Sequence, residues 1–356
     1  MWPNPASSPL LNRRRRYVKT RHLLVAASGV AALLAAGCSN GSGGTSPVSG
    51  TITIAATPGV DDAPLYLAEQ RGLFSAAGLN VAIKSFGDGS AAAQVQAVED
   101  GKAQIASSDY GNIFAEQASG GKGSLRLLAD GYDAGAGAVE ILVGPHSNIS
   151  NPAQLLNKPI GVPGSLLIGT YGHTMIQPGN PTSLVAAAAT ESIANYLLSN
   201  AHVLKWRSLS QPQEISALQT GRLQAVLVTQ PYIYQAQSTF GAVELMDVFS
   251  GQTANLPTTG YVSQASWATS DAAAVRDFQS AIGKAQAEAT GVGPVQETLR
   301  KSAGMSLATA DMVSLGTYPT VTNTKALQRV DLLLSNEGAL QVGGSGDLVS
   351  SLMGPR

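Results

Sequence analysis

The residues best suited to chemistry in this chain are carboxylates and phenols, and they stand in or beside short loops. Asp61, Asp62, Asp88, Asp109 and Asp133 are the acids, and Tyr66, Tyr110, Tyr132 and Tyr232 are the rings. A carboxylate attracts an amine, and a tyrosine ring adds stacking or cation–π contact worth about 0.5–2 kcal/mol. The same acids also suit helix N-caps and first turns, where a side-chain acceptor stabilises by roughly 1 kcal/mol without touching a ligand. Asp61, Asp62 and Asp88 fit both roles, whereas Asp109 and Tyr110 directly follow an apolar strand pattern. Catalytic constellations are missing from the sequence. His22, His146, His173 and His202 are scattered without metal-ligand spacing, and no Gly-x-Ser-x-Gly elbow occurs. No catalytic residue, metal or cofactor is therefore expected.

The single cysteine, Cys38, ends a different kind of pattern. Arg13 to Arg16 precede an apolar run from Leu23 to Leu34 and then Ala35-Ala36-Gly37-Cys38. A basic start, a short apolar middle and small residues before a cut make an export signal, because a membrane span needs about 20 apolar residues. The last four residues resemble a bacterial lipobox, with Ala35 where leucine is more usual, so residues 1–37 are expected to be removed and Cys38 lipidated. Acyl methylenes contribute roughly 0.8 kcal/mol each on burial, and two or more chains anchor firmly. Arg14-Arg15-Arg16-Tyr17-Val18-Lys19 also resembles a twin-arginine signal, so the general and the twin-arginine routes both fit.

Residues 1–37 hold six of the 22 Lys and Arg and no acid, which leaves 16 basic and 23 acidic residues, a net charge of −7. That sign excludes nucleic acid as a partner, since phosphate binding needs clustered Lys and Arg. With Cys38 lipidated no thiol remains for a disulfide, and a body of some 300 residues must be held by core burial. Residues 38–50, rich in Ser, Gly and Thr, read as a flexible tether.

From Thr51 short apolar runs alternate with helical stretches, the pattern of an α/β protein with largely parallel sheets. Strands are expected at 51–56, 80–85, 104–107, 125–129, 139–143, 160–162, 203–207, 225–229 and 243–247. Helices are expected at 64–71, 91–100, 112–118, 184–199 and 212–220. After Ser270 only helices are expected, over 271–290, 294–303, 307–315 and 325–335. Residues Ala97 to Ile105 are echoed 120 positions later by Ala217 to Ala225. Each copy is a helix end, a glycine stop and the entry to a strand. Each strand then leads to a tyrosine, in Ser107-Ser108-Asp109-Tyr110 and Thr229-Gln230-Pro231-Tyr232, as two similar facing lobes would.

At Ala63-Pro64-Leu65-Tyr66-Leu67-Ala68-Glu69, Arg71-Gly72-Leu73-Phe74 and Gly78-Leu79-Asn80-Val81 the chain resembles the periplasmic solute-binding proteins of ABC importers. The branch is the one containing sulfonate, taurine, nitrate and thiamine-precursor binders. The Gly101 and Gly221 junctions, Asn151 to Leu155, Lys158 to Ser165 and Thr259-Gly260-Tyr261-Val262 extend the resemblance over nearly the whole body. It implies a two-lobed type II periplasmic-binding-protein fold with two crossover strands: lobe one at 51–144 and 241–356, lobe two at 145–240. It also implies a monomer that carries a small solute to a permease and ATPase complex.

In such a fold the ligand meets the carboxyl ends of the strands. The residues expected there are Asp61, Asp62, Tyr66, Asp88, Ser108, Asp109, Tyr110, Tyr132 and Asp133 from lobe one. Ser165, Gln230 and Tyr232 are expected from lobe two. All five aspartates belong to lobe one, and no Asp occurs between Asp133 and Asp247. An anion would be repelled, so a neutral or amine-bearing solute is expected, and the tyrosines leave a ring-shaped one open. Two other uses of the scaffold remain open. One is a dehydratase-like enzyme with Asp109 as its acid or base, and the other is a ligand-sensing subunit of a membrane receptor. The segment Tyr171 to Thr190, interrupted by Gln177-Pro178-Gly179-Asn180-Pro181, is either a cleft-rim loop or a surface excursion.

Overall fold

Two five-stranded mixed sheets, each flanked by helices, organise the body. The computed structural model describes residues 50–120, 123–163, 166–168, 174–176, 185, 188–189, 204–337, 340 and 347–354. The expected export signal, Cys38, the expected tether up to residue 49, Ser165, Gln177 to Pro181 and most of the expected helix 184–199 lie outside the described residues.

The first sheet has the order β2-β1-β3-β12-β4, from β1 (Thr51–Ala55), β2 (Asn80–Lys84), β3 (Ile105–Asp109), β4 (Leu125–Ala134) and β12 (Leu256–Gln264). The second has the order β9-β6-β10-β5-β11, from β5 (Val139–Val143), β6 (Pro159–Pro163), β9 (Lys205–Leu209), β10 (Ala225–Thr229) and β11 (Val243–Asp247). Read this way the two orders correspond strand for strand. In each sheet one strand alone runs against its neighbours: β12 between β3 and β4, and β5 between β10 and β11. The expectation of largely parallel sheets is thus corrected by one reversed strand per sheet. β12 itself was not expected as a strand. Pro257, Thr258, Thr259, Gly260 and Ser263 read locally as loop, and pairing on both sides makes the segment a strand. A small antiparallel pair, β7 (Leu166–Ile168) with β8 (Thr174–Ile176), takes in part of the 171–190 segment, and β7 lies against β9.

The chain crosses between the sheets twice, at 135–138 after β4 and at 248–255 before β12. The expected lobe boundaries at 144 and 241 are therefore shifted. β5 and β11 hydrogen-bond into the second sheet, because the fully buried run Val139–Val143 needs a neighbour on each edge.

The helices are α1 (Ala63–Gln70), α2 (Leu73–Ala76), α3 (Ala91–Glu99), α4 (Tyr110–Ser119), α5 (Gln211–Gln219), α6 (Tyr232–Phe240) and α7 (Ala265–Ser270). They continue as α8 (Ala272–Glu288), α9 (Val292–Ser302), α10 (Leu307–Met312), α11 (Thr324–Asn336) and α12 (Leu348–Met353). The repeated helix–glycine–strand motif is realised at matching places. Gly101 and Gly221 end α3 and α5 with φ of 69° and 71°, the left-handed turn that glycine adopts without strain. Ala103 N–H donates to the Ala97 carbonyl, and Leu223 N–H to the Ala217 carbonyl, both at 3.1 Å. The motifs then enter β3 and β10, the third strand of each sheet.

The carboxy-terminal helices close the outer face of the first sheet, with α8 and α9 against α1. Phe278 of α8 is fully buried, stacked on Phe74 at 6.0 Å and edge-on to Tyr261 at 5.6 Å. Burying one such ring stabilises by about 1.5–3 kcal/mol. No helix among the described residues is long and apolar enough to cross a membrane.

Candidate ligand cavity

A cavity of about 220 Å³ lies between the two sheets, where their strands end. The first sheet contributes the loop Thr57 to Asp62 after β1, Gly89, Ala91 and Gln94 beyond β2, and Ser107, Ser108 and Asp109 at the end of β3. The second contributes Gln211 after β9, and Thr229 with Gln230 at the end of β10. Tyr132, Ala138, Val139 and Phe249 come from the two crossings and their flanks, Thr258 and Thr259 from β12, and Ser314 from the strand-like segment before α11. Among these described lining residues there is no Lys, Arg or His.

Asp61 and Asp62 stand side by side at the start of α1. Asp62 occupies the N-cap position, yet its side chain accepts no cap bond, and Pro64 in the first turn has no N–H to donate. The alternative of Asp62 as a cap is thereby settled against. Its carboxylate is 5% exposed, and Oδ1 has no hydrogen-bond partner. Burial and the charge of Asp61 raise the Asp62 pKa well above the usual carboxylate range, against the Ser107 and Tyr261 hydroxyls and the Thr57 amide, which favour ionisation. Burial also raises Asp61. Asp61 folds back over the loop: a Cβ on Gly59 would stand 2.6 Å from its Oδ1, so a bare glycine makes the room.

The remaining first-sheet wall is braced. Ser108 donates to the Ala91 carbonyl at 2.9 Å. Asp109 lines the cavity and also caps α4, accepting from Gly111 N–H at 2.8 Å. Tyr132 packs against Tyr318 at 5.5 Å, its hydroxyl accepting from Gly316 N–H, while Tyr318 donates to the Val60 carbonyl at 2.6 Å. Both phenols are pushed up by burial and stay neutral.

On the second-sheet wall the polar groups mostly satisfy one another. Gln211 donates to Thr229 Oγ1 at 2.8 Å and accepts from the Thr229 amide at 3.3 Å. Gln230 donates from Nε2 to the Gly137 carbonyl at 3.1 Å, which ties it to the first crossing and leaves Oε1 without a partner.

Asp61, Asp62, Ser108, Asp109, Tyr132 and Gln230 thus come together around one cavity. Tyr66, Asp88, Tyr110, Tyr232 and Asp133 are not part of its described lining. Tyr66 is buried behind the loop and directs its hydroxyl at the Ala56 carbonyl. Asp88 accepts from Ser90 N–H at 3.0 Å, and its pKa is lowered by the Ser90 hydroxyl first and by this turn-stabilising amide bond second. Tyr110 is fully buried and donates to Asp130. Gly260 opposite it has no side chain because a Cβ there would stand 2.6 Å from the phenol oxygen. Tyr232 begins α6 and packs on the second lobe's own apolar cluster. Asp133 exchanges backbone bonds with Thr317, and burial and Asp130 push its carboxyl up to about 7. Sequence reasoning missed Gln211, Phe249 and Thr259. Gln211 carried a signal, since it follows a strand at the same carboxyl end that singled out the other loops.

Residues 60–178, which include Asp61, Asp62, Asp109 and Tyr132, match the NMT1/THI5-like family model. No curated protein matches the chain. The alkanesulfonate-binding protein SsuA from Xanthomonas axonopodis pv. citri, bound to MOPS, is 16% identical with a TM-score of 0.62, over 82% of this chain and 94% of that one. The periplasmic nitrate-binding protein NrtA from Synechocystis PCC 6803 is 12% identical with a TM-score of 0.64, over 86% and 85%. The desulfurization enzyme DSZB is 17% identical with a TM-score of 0.61, over 84% and 97%. At such identities the likeness shows the fold: this chain has the fold of the periplasmic binding proteins of ABC importers, and an enzyme shares it.

Proposed function

We propose that the protein is the extracytoplasmic solute-binding component of an ABC importer and catalyses no reaction. In this reading it is a monomer tethered to the membrane by lipid on Cys38. It captures a small, neutral or amine-bearing solute between its lobes and delivers it to a permease and ATPase complex. The observation that carries the reading is the cavity itself. Both sheets wall it, and polar atoms without partners come from each side, namely Asp62 Oδ1 and Gln230 Oε1. A ligand touching both walls stabilises the closed arrangement, and closure about two crossings is what a transporter can read. At about 220 Å³ the space is below the roughly 300–1,000 Å³ of drug-sized pockets, in keeping with a small solute. The enzyme reading draws support from the fold shared with DSZB. Against it, Asp109, the candidate acid or base, already serves as a helix cap.

The reading is tested without knowing the solute. Protein isolated from cell envelopes without dialysis is denatured, and the released small molecules are identified by mass spectrometry beside an Ala138→Trp variant whose cavity is filled. One compound near equimolar with the wild type and absent from the variant is the expected result. No difference between the two would refute capture in this cavity.

A further inference from the structure

The unpartnered polar atoms of the cavity wall share one character. Asp62 Oδ1 and Gln230 Oε1 are acceptors with nothing to accept from, and Thr259 Oγ1, on a residue 6% exposed, has no partner either. A second aspartate, Asp61, lies beside the first, and no cationic side chain among the described lining residues offsets them. Leaving buried acceptors unmet costs the full desolvation of each, so an occupant that donates to them gains what the empty protein lacks. An ammonium carries three donors and no acceptor. A metal ion fits less well, because no group of three or more His, Cys, Asp or Glu suited to hold one occurs among the described residues.

Resting on the solute-binding reading above, we propose that the cleft takes a protonated primary amine, its charge facing Asp61 and Asp62 and its three donors met by Asp62, by Thr259 and, from the opposite wall, by Gln230. The pairing has a consequence for protons. Asp62 is buried, Asp61 half-buried beside it, and with no cation among the described lining residues the empty pair, in this proposal, shares one proton. When the ammonium enters, the pair ionises fully. One positive charge arrives, one proton leaves for solvent, and the net charge of the cavity is unchanged. The titratable groups around the pair do not take over that proton's role. The phenols of Tyr66, Tyr132, Tyr261 and Tyr318 are held neutral by burial. Glu69 is exposed at the far end of α1, Asp109 serves its cap, and Asp130 and Asp133 lie beyond Tyr132.

The test uses methylamine, ethanolamine and benzylamine as probes with the full-length protein. Binding heat is measured by calorimetry, and proton release by a pH electrode in unbuffered salt. At least one amine is expected to bind with release of about one proton, and its affinity to rise up to tenfold per pH unit while the pair titrates. Asp62→Asn is expected to weaken that binding at least 100-fold and to abolish proton release, with Asp61→Asn as the second variant should the first not fold. If methanesulfonate or nitrate binds and no amine does, the amine assignment falls while the solute-binding reading stands. An amine that binds equally to wild type and Asp62→Asn, or without releasing a proton, also overturns it, as does Zn²⁺ outcompeting every amine. If no probe of either charge binds, the amine assignment fails, and the retained-compound experiment decides the solute-binding reading separately.

Discussion

The two walls of the cavity are built from the same topology and unlike chemistry. The first-sheet wall carries carboxylates: Asp61, Asp62 and Asp109 line the space, and Asp62 Oδ1 has no partner. The second-sheet wall carries amides and hydroxyls that largely satisfy one another, as Gln211 does with Thr229. The second lobe is not without acids. Glu214 of α5 is completely buried with neither carboxylate oxygen partnered, but it packs beneath Gly161 of β6 and does not line the cavity. In the proposed reading equivalent frames divide the labour: one wall sets the charge of the solute, and the other meets it, among the described residues, through the free Gln230 acceptor near the crossing.

The division is broken most severely by removing the charged wall. Asp61→Asn combined with Asp62→Asn should abolish amine binding, a loss of about 4 kcal/mol or 1,000-fold, as read by calorimetry. Apo stability at neutral pH should be unchanged or higher, because two desolvated acids are gone.

Glu214 sharpens the contrast from the other lobe. Burial pushes its carboxyl up to about 10, so the folded protein keeps the proton while the unfolded chain loses it above about 4.5. Its contribution to stability is thus full below 4.5 and is lost progressively as pH rises toward 10. Glu214→Met should stabilise by about 2 kcal/mol at pH 8 and by less at pH 4, in urea unfolding at the two pH values, with solute affinity unaltered.

Gln230→Leu removes the free acceptor of the neutral wall and its bond to Gly137. It should weaken binding about tenfold, or 1.4 kcal/mol, a far smaller effect than loss of the acids. The smallest effect is expected at Asp88, the acid that belongs to a turn. Asp88→Ala should cost about 0.5–1 kcal/mol of thermal stability and leave solute affinity untouched.

These aspartates show where sequence reading succeeds and where it stops. The opening β1–α1–β2 unit, the glycine junctions and strands such as Val139–Val143 and Ala225–Thr229 were legible because period and turn chemistry are local. The loops at the carboxyl ends of strands were legible for the same reason. Within them, though, Asp62 and Asp88 carry the same local signal. Pro64 and the buried surroundings of Asp62 separate the two roles. Tyr110 follows its strand as a cleft residue would, but the helix that begins with it turns its ring toward Asp130 and the space left by Gly260. β12 was invisible for a related reason: a segment of Pro, Thr, Gly and Ser becomes a central strand only because β3 and β4 pair with it on both sides. What the sequence withheld in β12 and at Gly260 was set by contacts between residues more than a hundred positions apart.

The claim that one acidic wall decides the charge of the solute is tested most directly by thermal-shift measurement with three matched pairs at equal concentration. The pairs are methylamine with methanesulfonate, ethanolamine with 2-hydroxyethanesulfonate, and benzylamine with phenylmethanesulfonate. Binding at 100 times the dissociation constant adds about 2.7 kcal/mol to the folded state, well clear of non-specific shifts. An amine should raise the unfolding temperature, and its sulfonate partner should not. A sulfonate that stabilises the protein while its amine counterpart leaves it unmoved would contradict the account.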